Sequence, residues 1–276
     1  MDLIFFDLDG TLLNKQSSLS TYTRDTLNLL TEKRIAHTIA TGRTMQSAQR
    51  VIGSQLFNLP HIYSNGVAVW DPKDNGLTLS NLLDNEEIDI IVDSATSLGL
   101  APFINTVATS NASHSHVVFY GPTHHKIEED LIANYFVRQK ISLKPYKSLP
   151  ANHQVTNISM IGARETIQKV NDHIAQFDNL VAYSGQALEG EQFSWIDIHH
   201  KLANKGSAVE ELKSMLGATN VICFGDSYND LSMFELADEA YAPSNAKDEI
   251  KRAATDIIGH HDDDGVAQFL RDRFSL

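Results

Sequence analysis

Apolar and polar positions alternate along this chain in short blocks, with first a strand and then a helix period. Leu3–Phe6 is four apolar residues in a row, which fits a strand buried on both faces at the centre of a parallel sheet. Ser18–Ser20 precede a helical pattern through Tyr22, Leu27, Leu29 and Leu30. Ile35–Ala40 reads as a strand, Thr44–Ile52 as a helix and His61–Ser64 as a strand. Val67–Trp70 and Leu77–Leu79, separated by Asp71-Pro72-Lys73-Asp74-Asn75-Gly76, predict a hairpin with a long turn.

The pattern shifts near Leu83. Asp84 or Asn85 can cap a helix whose apolar residues Ile88, Ile91, Val92, Ala95 and Leu98 recur near 3.6, with Gly99 as its stop. Strands follow at Pro102–Thr106 and His116–Tyr120, a helix over about Ile127–Lys140 and a strand near Ser142–Tyr146. After a loop at Pro150–His153 come a strand Val155–Ile161, a helix Glu165–Phe177 and a strand Leu180–Ser184. Phe193–His199 alternates as a strand, and Lys201–Gly206 opens a helix bearing Val209, Leu212 and Leu216. Val221–Phe224 is a strand, and Leu231–Leu236 continues as a helix. The tail holds a strand near Tyr241, a helix about Ala246–Ala254, a strand Asp256–Ile258 and a helix Gly265–Phe274. The expected class is α/β: a Rossmann-like parallel-sheet core over 1–82 and 186–276, with an α/β domain inserted over 83–185.

Composition narrows the function. A formal net charge of −13 argues against a general nucleic-acid or anionic-membrane binder. It leaves room for a small phosphorylated ligand, because a few local cations and a metal act inside a screening length of about 8–10 Å. Cys223 is the only cysteine, so no intrachain disulfide forms, which suits a cytoplasmic protein. The chain runs from Met1-Asp2 straight into its first strand, so no leader is expected, and no apolar run nears the ~18 residues of a membrane helix. No obligate protein partner is inferred, and a monomer is expected.

The chemistry gathers where predicted strands end. Leu3–Phe6 stops at Asp7-Leu8-Asp9-Gly10-Thr11, and in extended chain Asp7 and Asp9 point the same way. Two carboxylates at the carboxyl end of such a strand suit Mg²⁺ or paired nucleophilic and acid–base roles, and equally a solvated turn. Ile35–Ala40 ends at Thr41-Gly42-Arg43, where a hydroxyl and an amide can face a phosphate. Asn65-Gly66 follows the third strand and also fits a turn with positive φ. Lys205 opens a helix, where its charge opposes the helix dipole. Val221–Phe224 ends in Gly225-Asp226-Ser227-Tyr228-Asn229-Asp230. Two histidine groups, His114/His116/His124/His125 and His260/His261 with Asp262–Asp264, invite a metal reading, but no ligand spacing supports one and surface loops are favoured.

Asp-x-Asp-Gly-Thr, Thr-Gly-Arg, Lys-Gly at a helix start and Gly-Asp-x-x-Asn-Asp, in that order, resemble the four motifs of the haloacid dehalogenase-like (HAD) phosphatases. The closest likeness is to the Cof-like branch, whose type IIB cap is inserted between the second and third motifs. The motif's usual second glycine is Ser227 here. The resemblance implies a Mg²⁺-dependent phosphatase of small phosphorylated metabolites, sugar phosphates above all. Asp7 would be the nucleophile and Asp9 the acid–base. Lys205 would contact the nucleophile and the phosphate. Leu8, Thr41, Gly42, Arg43, Asn65 and Asn229 would contact phosphate or substrate. Asp7, Asp9, Asp226 and Asp230 would form the metal shell, Asp230 either there or as partner of Lys205. Arg43 would bind substrate or pair with a core carboxylate. A phosphomutase or phosphotransferase on this fold, or a non-catalytic phosphometabolite-binding module, stands as the alternative.

Overall fold

The computed structural model describes residues 1–276 except Ser54, Leu56, Asn111, Ala112 and His153, and for Thr109, Ser110 and Ser113 the backbone alone. His153, expected in the loop after Pro150, therefore lies outside the described residues. In chain order the elements are β1 (Asp2–Phe6), α1 (Thr21–Glu32), β2 (Ala36–Ile39), α2 (Met45–Ile52), β3 (His61–Tyr63), β4 (Ala68–Asp71) and β5 (Gly76–Leu79). Next come α3 (Asn85–Ser97), β6 (Phe103–Ser110), β7 (Ser113–Tyr120), α4 (Lys126–Leu131), β8 (Ser142–Pro145), β9 (Val155–Ala163), α5 (Arg164–Ile174), β10 (Leu180–Gln186) and β11 (Phe193–His200). Last are α6 (Lys205–Leu216), β12 (Asn220–Phe224), α7 (Leu231–Phe234), β13 (Glu239–Pro243), α8 (Asp248–Ala253), β14 (Asp256–Ile258) and α9 (Gly265–Phe274).

The chain divides into two compact units, Met1–Ser80 with Asn204–Leu276, and Asn81–Ala203. The first holds a five-stranded sheet in the order β14-β13-β12-β1-β2, parallel throughout. The apolar run of β1 follows from its central place. Ile4 and Phe6 pack with Leu27 and Leu30 of α1, Ile52 of α2 and Leu270 of α9. Leu3 and Phe5 pack on the other face with Val209 and Leu212 of α6, Met233 of α7 and Ile250 of α8. All four are fully buried, which at about 1.5–3 kcal/mol each makes this strand a main anchor of the unit. β3, β4 and β5 form a small antiparallel sheet, and Ile62 of β3 bridges Ala40 beside the end of β2. The chain leaves β1 for β2 on one side of the sheet, while β12 flanks β1 on the other. The carboxyl ends of β1 and β12 thus border the crevice where strand order reverses, the usual ligand position in open α/β sheets.

The second unit is a six-stranded sheet in the order β10-β11-β9-β6-β7-β8, antiparallel except for β7 with β8. α3, capped by Asp84 in a reciprocal bond with Glu87, and α5 cover one face through Ile88, Ile91, Ile167 and Val170. Phe136 and Ile141 cover Phe103 and Val118 on the other. The helix expected over Ile127–Lys140 is α4 continued by a wider turn over Ile132–Val137.

One boundary departs from the sequence reading. The inserted unit runs over Asn81–Ala203, not 83–185, because Phe193–His200 pairs antiparallel with β10 and β9. Its alternation buries Ile196 and Ile198 in that unit's core, whereas the sequence reading assigned the strand to the parallel sheet. Among the described residues no helix is long and apolar enough to cross a membrane.

Candidate active site

The loop after β1 does not stay extended. Gly10 takes φ +74°, and a Cβ there would run into the Asp226 carboxylate, so the loop after β1 and the loop after β12 touch at a position only glycine fits. The chain already turns at Leu8, between the two acids, so the side-by-side placement of an extended chain does not apply to them. Asp7 is buried at 6% exposure, while the Asp9 side chain is half exposed. The Leu8 side chain is in the hydrophobic core and its carbonyl accepts the Leu13 amide, so a ligand would meet only its backbone. Thr11, buried behind the turn, donates its hydroxyl to Asp226 Oδ1 at 3.3 Å.

Lys205 is the first residue of α6, after the Asn204 cap, and is fully buried. Gly206 lets α6 approach the Ser232 carbonyl where a side chain would clash. The Lys205 ammonium donates to Asp7 Oδ1 at 2.5 Å and to Asp230 Oδ1 at 2.6 Å. Burial alone would push its pKa down, but Asp230 and Asp7 outweigh burial and raise it. Asp230, also fully buried, accepts the amides of Asp226 and Ser227 on Oδ2 at 2.9 Å. Both its oxygens are therefore engaged, and of its two expected roles the geometry favours partner of Lys205.

Carboxylates crowd this crevice. Oxygens of Asp7, Asp226 and Asp230 lie within 4.8 Å of one another. The Asp7 pKa stands well above the usual carboxylate range: burial raises it most, Lys205 opposes, and Asp230, Asp226 and Asp9 add to the rise. Asp226 is pushed up to about 6, first by burial and then by Asp230, against Lys205 and Thr11. Crowded oxygens held against their own ionisation are the donor set a hard divalent cation relieves, so the residues present fit Mg²⁺.

Across the crevice, Thr41 follows β2 and is buried, with its amide on the Ile62 carbonyl. Its hydroxyl accepts the Arg43 amide at 3.1 Å. Arg43 grips Asp9 with two parallel bonds, Nε to Oδ2 and Nη2 to Oδ1, both 2.6 Å, and bonds Ser47 through Nη1. Of its two expected roles, pairing with a core carboxylate is the one seen. Asn65 takes φ +54° and accepts Asn229 Nδ2 on its Oδ1 at 2.9 Å, beside Gly42. It is at once the turn residue its sequence allowed and the partner that aims the Asn229 amide.

The structure thus brings Asp7, Asp9, Thr41, Gly42, Arg43, Asn65, Lys205, Asn229 and Asp230 together with Asp226 in one unit, around the ends of β1, β2 and β12. Lys201, expected to open the same helix as Lys205, belongs to the other unit. Among the described residues, the histidines of residues 114–125 form no compact ligand group. His116 is buried on β7 with Nε2 against Asn105 Oδ1 at 2.8 Å. Thr11, within the first motif but given no role there, and Asn245, outside every motif, whose side chain donates to the Gly10 carbonyl at 2.7 Å, are further site neighbours.

A buried lysine–aspartate pair beside a second acidic loop, at the switch point of a parallel sheet, is an arrangement of the α/β class suited to a divalent cation and a phosphate. Comparison with known proteins agrees. The family model of haloacid dehalogenase-like hydrolases matches residues 4–270. The 5-amino-6-(5-phospho-D-ribitylamino)uracil phosphatase YwtE of Bacillus subtilis is 27% identical, over 98% of this chain and 97% of its own. The pyridoxal phosphate phosphatase YbhA of Escherichia coli is 24% identical, over 97% of each. The structure of the HAD subclass IIB sugar phosphatase BT4131 shares the fold with a TM-score of 0.75 at 19% identity, covering 100% of this chain and 99% of that one. The chain belongs to the haloacid dehalogenase-like hydrolases and is an enzyme of their phosphatase type.

Proposed function

We propose that the chain is a Mg²⁺-dependent phosphatase of small, sugar-phosphate-like metabolites that works through an aspartyl-phosphate on Asp7. The carrying observation is Asp7 itself, a buried carboxylate with one oxygen held by Lys205 at 2.5 Å beside the Asp226 loop. Asp7, the Asp9 carbonyl and Asp226 would hold Mg²⁺, and Asp230 would act through Lys205 instead of as a ligand. The metal would supply positive charge that lets a phosphate dianion approach carboxylates.

The chain's own groups then have separable tasks. The bond of Lys205 to one Asp7 oxygen opposes the protonation that burial and the neighbouring carboxylates favour, and leaves the other oxygen to attack phosphorus in line. The P–O bond to the leaving group breaks as the Asp7–phosphorus bond forms. Asp9, a carboxylate in its Arg43 pair, would first take a proton from solvent; it then gives that proton to the leaving oxygen and, as carboxylate again, takes one from the water that hydrolyses the aspartyl-phosphate. The Thr41 hydroxyl, the Gly42 amide, Lys205 and the Asn229 amide would stabilise the oxygens of the transferring phosphoryl group. Relatives with a ribitylamino-uracil phosphate and with pyridoxal phosphate in their names support a phosphorylated metabolite as substrate. A single buried thiol, Cys223, suits action in the reducing cytoplasm.

The test is phosphate release from a panel of phosphorylated metabolites with and without Mg²⁺, for the native chain and Asp7→Asn. Mg²⁺-dependent release that Asp7→Asn abolishes is the expected result. A folded native chain that releases phosphate from none of the panel would overturn the reading.

A further inference from the structure

The histidine- and acid-rich turn His260–Asp264, read from sequence as a solvated loop, is tied to the loop that carries the nucleophile. His261 Nδ1 meets the Leu13 carbonyl at 2.7 Å, and the His261 amide donates to Asn245 Oδ1 at 3.1 Å. The other end of the Asn245 amide, Nδ2, donates to the Gly10 carbonyl at 2.7 Å. Asp262 Oδ1 accepts the Lys15 amide at 2.7 Å, and Asp264 Oδ1 accepts the hydroxyls of Ser20 and Thr23 at 2.5 and 2.8 Å. Two residues beyond Asn245, the Lys247 amide donates to the Asp226 carbonyl at 3.2 Å. The segment after β13 and the turn before α9 therefore grip the backbone of both acidic loops, at Gly10, Leu13, Lys15 and Asp226.

His260, His261 and Asp262 could also be taken for a metal site, since one ligand atom from each falls within 4.8 Å of the others. The His260 ring and Asp262 are already engaged. His260 Nδ1 accepts the Asp262 amide at 3.1 Å, which puts the neutral ring's proton on Nε2, and Asp262 faces both the amide and the ammonium of Lys15. The turn is organised to hold backbone, not to hold an ion.

We propose that Asn245 and His261 are positioning residues for the phosphoryl-transfer site: they fix the Gly10 and Leu13 carbonyls and so hold the Asp7 loop in register with Asp226. The inference rests on the reading of Asp7 and Asp226 as the reacting and metal-holding carboxylates. The position is sensitive because Gly10 already touches the Asp226 carboxylate. Rotation of the Gly10 peptide would change the separation of Asp7 and Asp226 at once, and small misplacements of reacting groups cost large factors in rate. The His261 contact needs only a proton on Nδ1, which one neutral tautomer and the imidazolium both supply, so the brace does not depend on the charge of the ring.

Two readouts test it, on the full chain: hydrogen–deuterium exchange of the amides of residues 8–13, and kcat and KM for p-nitrophenyl phosphate with Mg²⁺. Asn245→Ala and His261→Leu remove the donors, whereas His261→Asn keeps an amide donor near the Nδ1 position. Loop exchange is expected to rise about tenfold in Asn245→Ala and His261→Leu, as for a local opening easier by one tenfold step. kcat should fall roughly tenfold or more with KM within about twofold, the pattern of an interaction expressed in the transition state. His261→Asn should restore both to near native values. Exchange and kcat that stay native in folded Asn245→Ala, or His261→Asn no better than His261→Leu, would overturn the brace. If Asn245→Ala does not fold, the two His261 variants decide alone. If the native chain does not turn over, the phosphatase reading fails, and exchange still judges the brace.

Discussion

Lys205→Met puts the electrostatics of the site to its sharpest test. The ammonium is fully buried between Asp7 at 2.5 Å and Asp230 at 2.6 Å, and methionine nearly matches its length without its charge. At an effective dielectric of 20, a unit charge pair at that separation is worth about 6–7 kcal/mol, so the two contacts sum to roughly 13 kcal/mol of gross attraction. Desolvation of three charges takes back most of that sum, and the measured cost of removing one partner from a buried pair is about 3–5 kcal/mol. The chain has two tryptophans, Trp70 in the unit of Lys205 and Trp195 in the other. In a Trp195→Phe background, Trp70 fluorescence therefore follows the unfolding of the relevant unit alone. With a urea slope near 3 kcal/mol/M, Lys205→Met should lower the midpoint by roughly 1–1.7 M without metal. Lys205→Met with Asp230→Asn should recover part of the loss, because one of the stranded charges is gone. A midpoint within about 0.3 M of the parent, the scale of an exposed pair, would refute the claim that Lys205 holds a buried charge cluster together.

Other consequences are equally open to measurement. Arg43→Ala should shift stability by less than about 1 kcal/mol, because the Asp9 carboxylate it grips is half exposed, yet should lower kcat about tenfold by leaving the proposed acid–base group unoriented; urea unfolding and steady-state kinetics separate the two effects. His61 is held at about 4, chiefly by burial, so the unfolded chain binds its proton first as pH falls. Its contribution is complete above the ordinary histidine value, drains away from about 6.5 down to 4, and amounts to about 3 kcal/mol; His61→Phe should flatten the acid limb of the stability profile over that window, and an unchanged slope would count against it. Asp226 runs the other way: with its pKa raised to about 6, metal-free stability should fall as pH rises from about 4 to 6, and added Mg²⁺ should raise the melting temperature more at pH 7.5 than at pH 5. Equal Mg²⁺ shifts at the two pH values would mean that Asp226 does not meet the metal.

The sequence disclosed the strand-end chemistry because that chemistry is local. Four apolar residues in a row point to a buried strand, and β1 is one, ending at the two acids whose turn-or-site alternatives the local sequence left open. Asp-Gly-Thr and Thr-Gly-Arg likewise carry their turns in their own composition. What stayed hidden is what depends on pairing across long separations. Period-two alternation at Phe193–His200 specifies a strand with two unlike faces but not which sheet it joins, and the sheet it joins is that of the inserted unit. The same spacing rule that put Asp7 and Asp9 on one side holds only for extended chain, and the turn that begins at Leu8 breaks it. Asn245 and His261 carry no motif at all. Each reaches the Asp7 loop across more than 200 residues of chain, a contact that only the closed sheet creates.

Four carboxylates and two cations meet at this crevice: Asp7, Asp9, Asp226 and Asp230 against Lys205 and Arg43. A phosphate dianion approaching a site left two charges negative would face, at about 5 Å and an effective dielectric of 20, a gross repulsion of roughly 13 kcal/mol. No arrangement of hydroxyls and amides supplies that much, since a net hydrogen bond contributes about 1 kcal/mol. On the proposed reading the excess negative charge would be a selective device: a divalent cation would bring the sum to zero and let the phosphoryl donors act, while without it anions would be repelled. The raised Asp7 and Asp226 pKa values come first from burial, and the same excess of neighbouring carboxylates adds to them. It also explains why one lysine must be fully buried. With Asp230 saturated by two amides and an ammonium, Lys205 holds one Asp7 oxygen and leaves the other for the proposed reaction, and a surface lysine, solvated and mobile, could not divide the carboxylate that way.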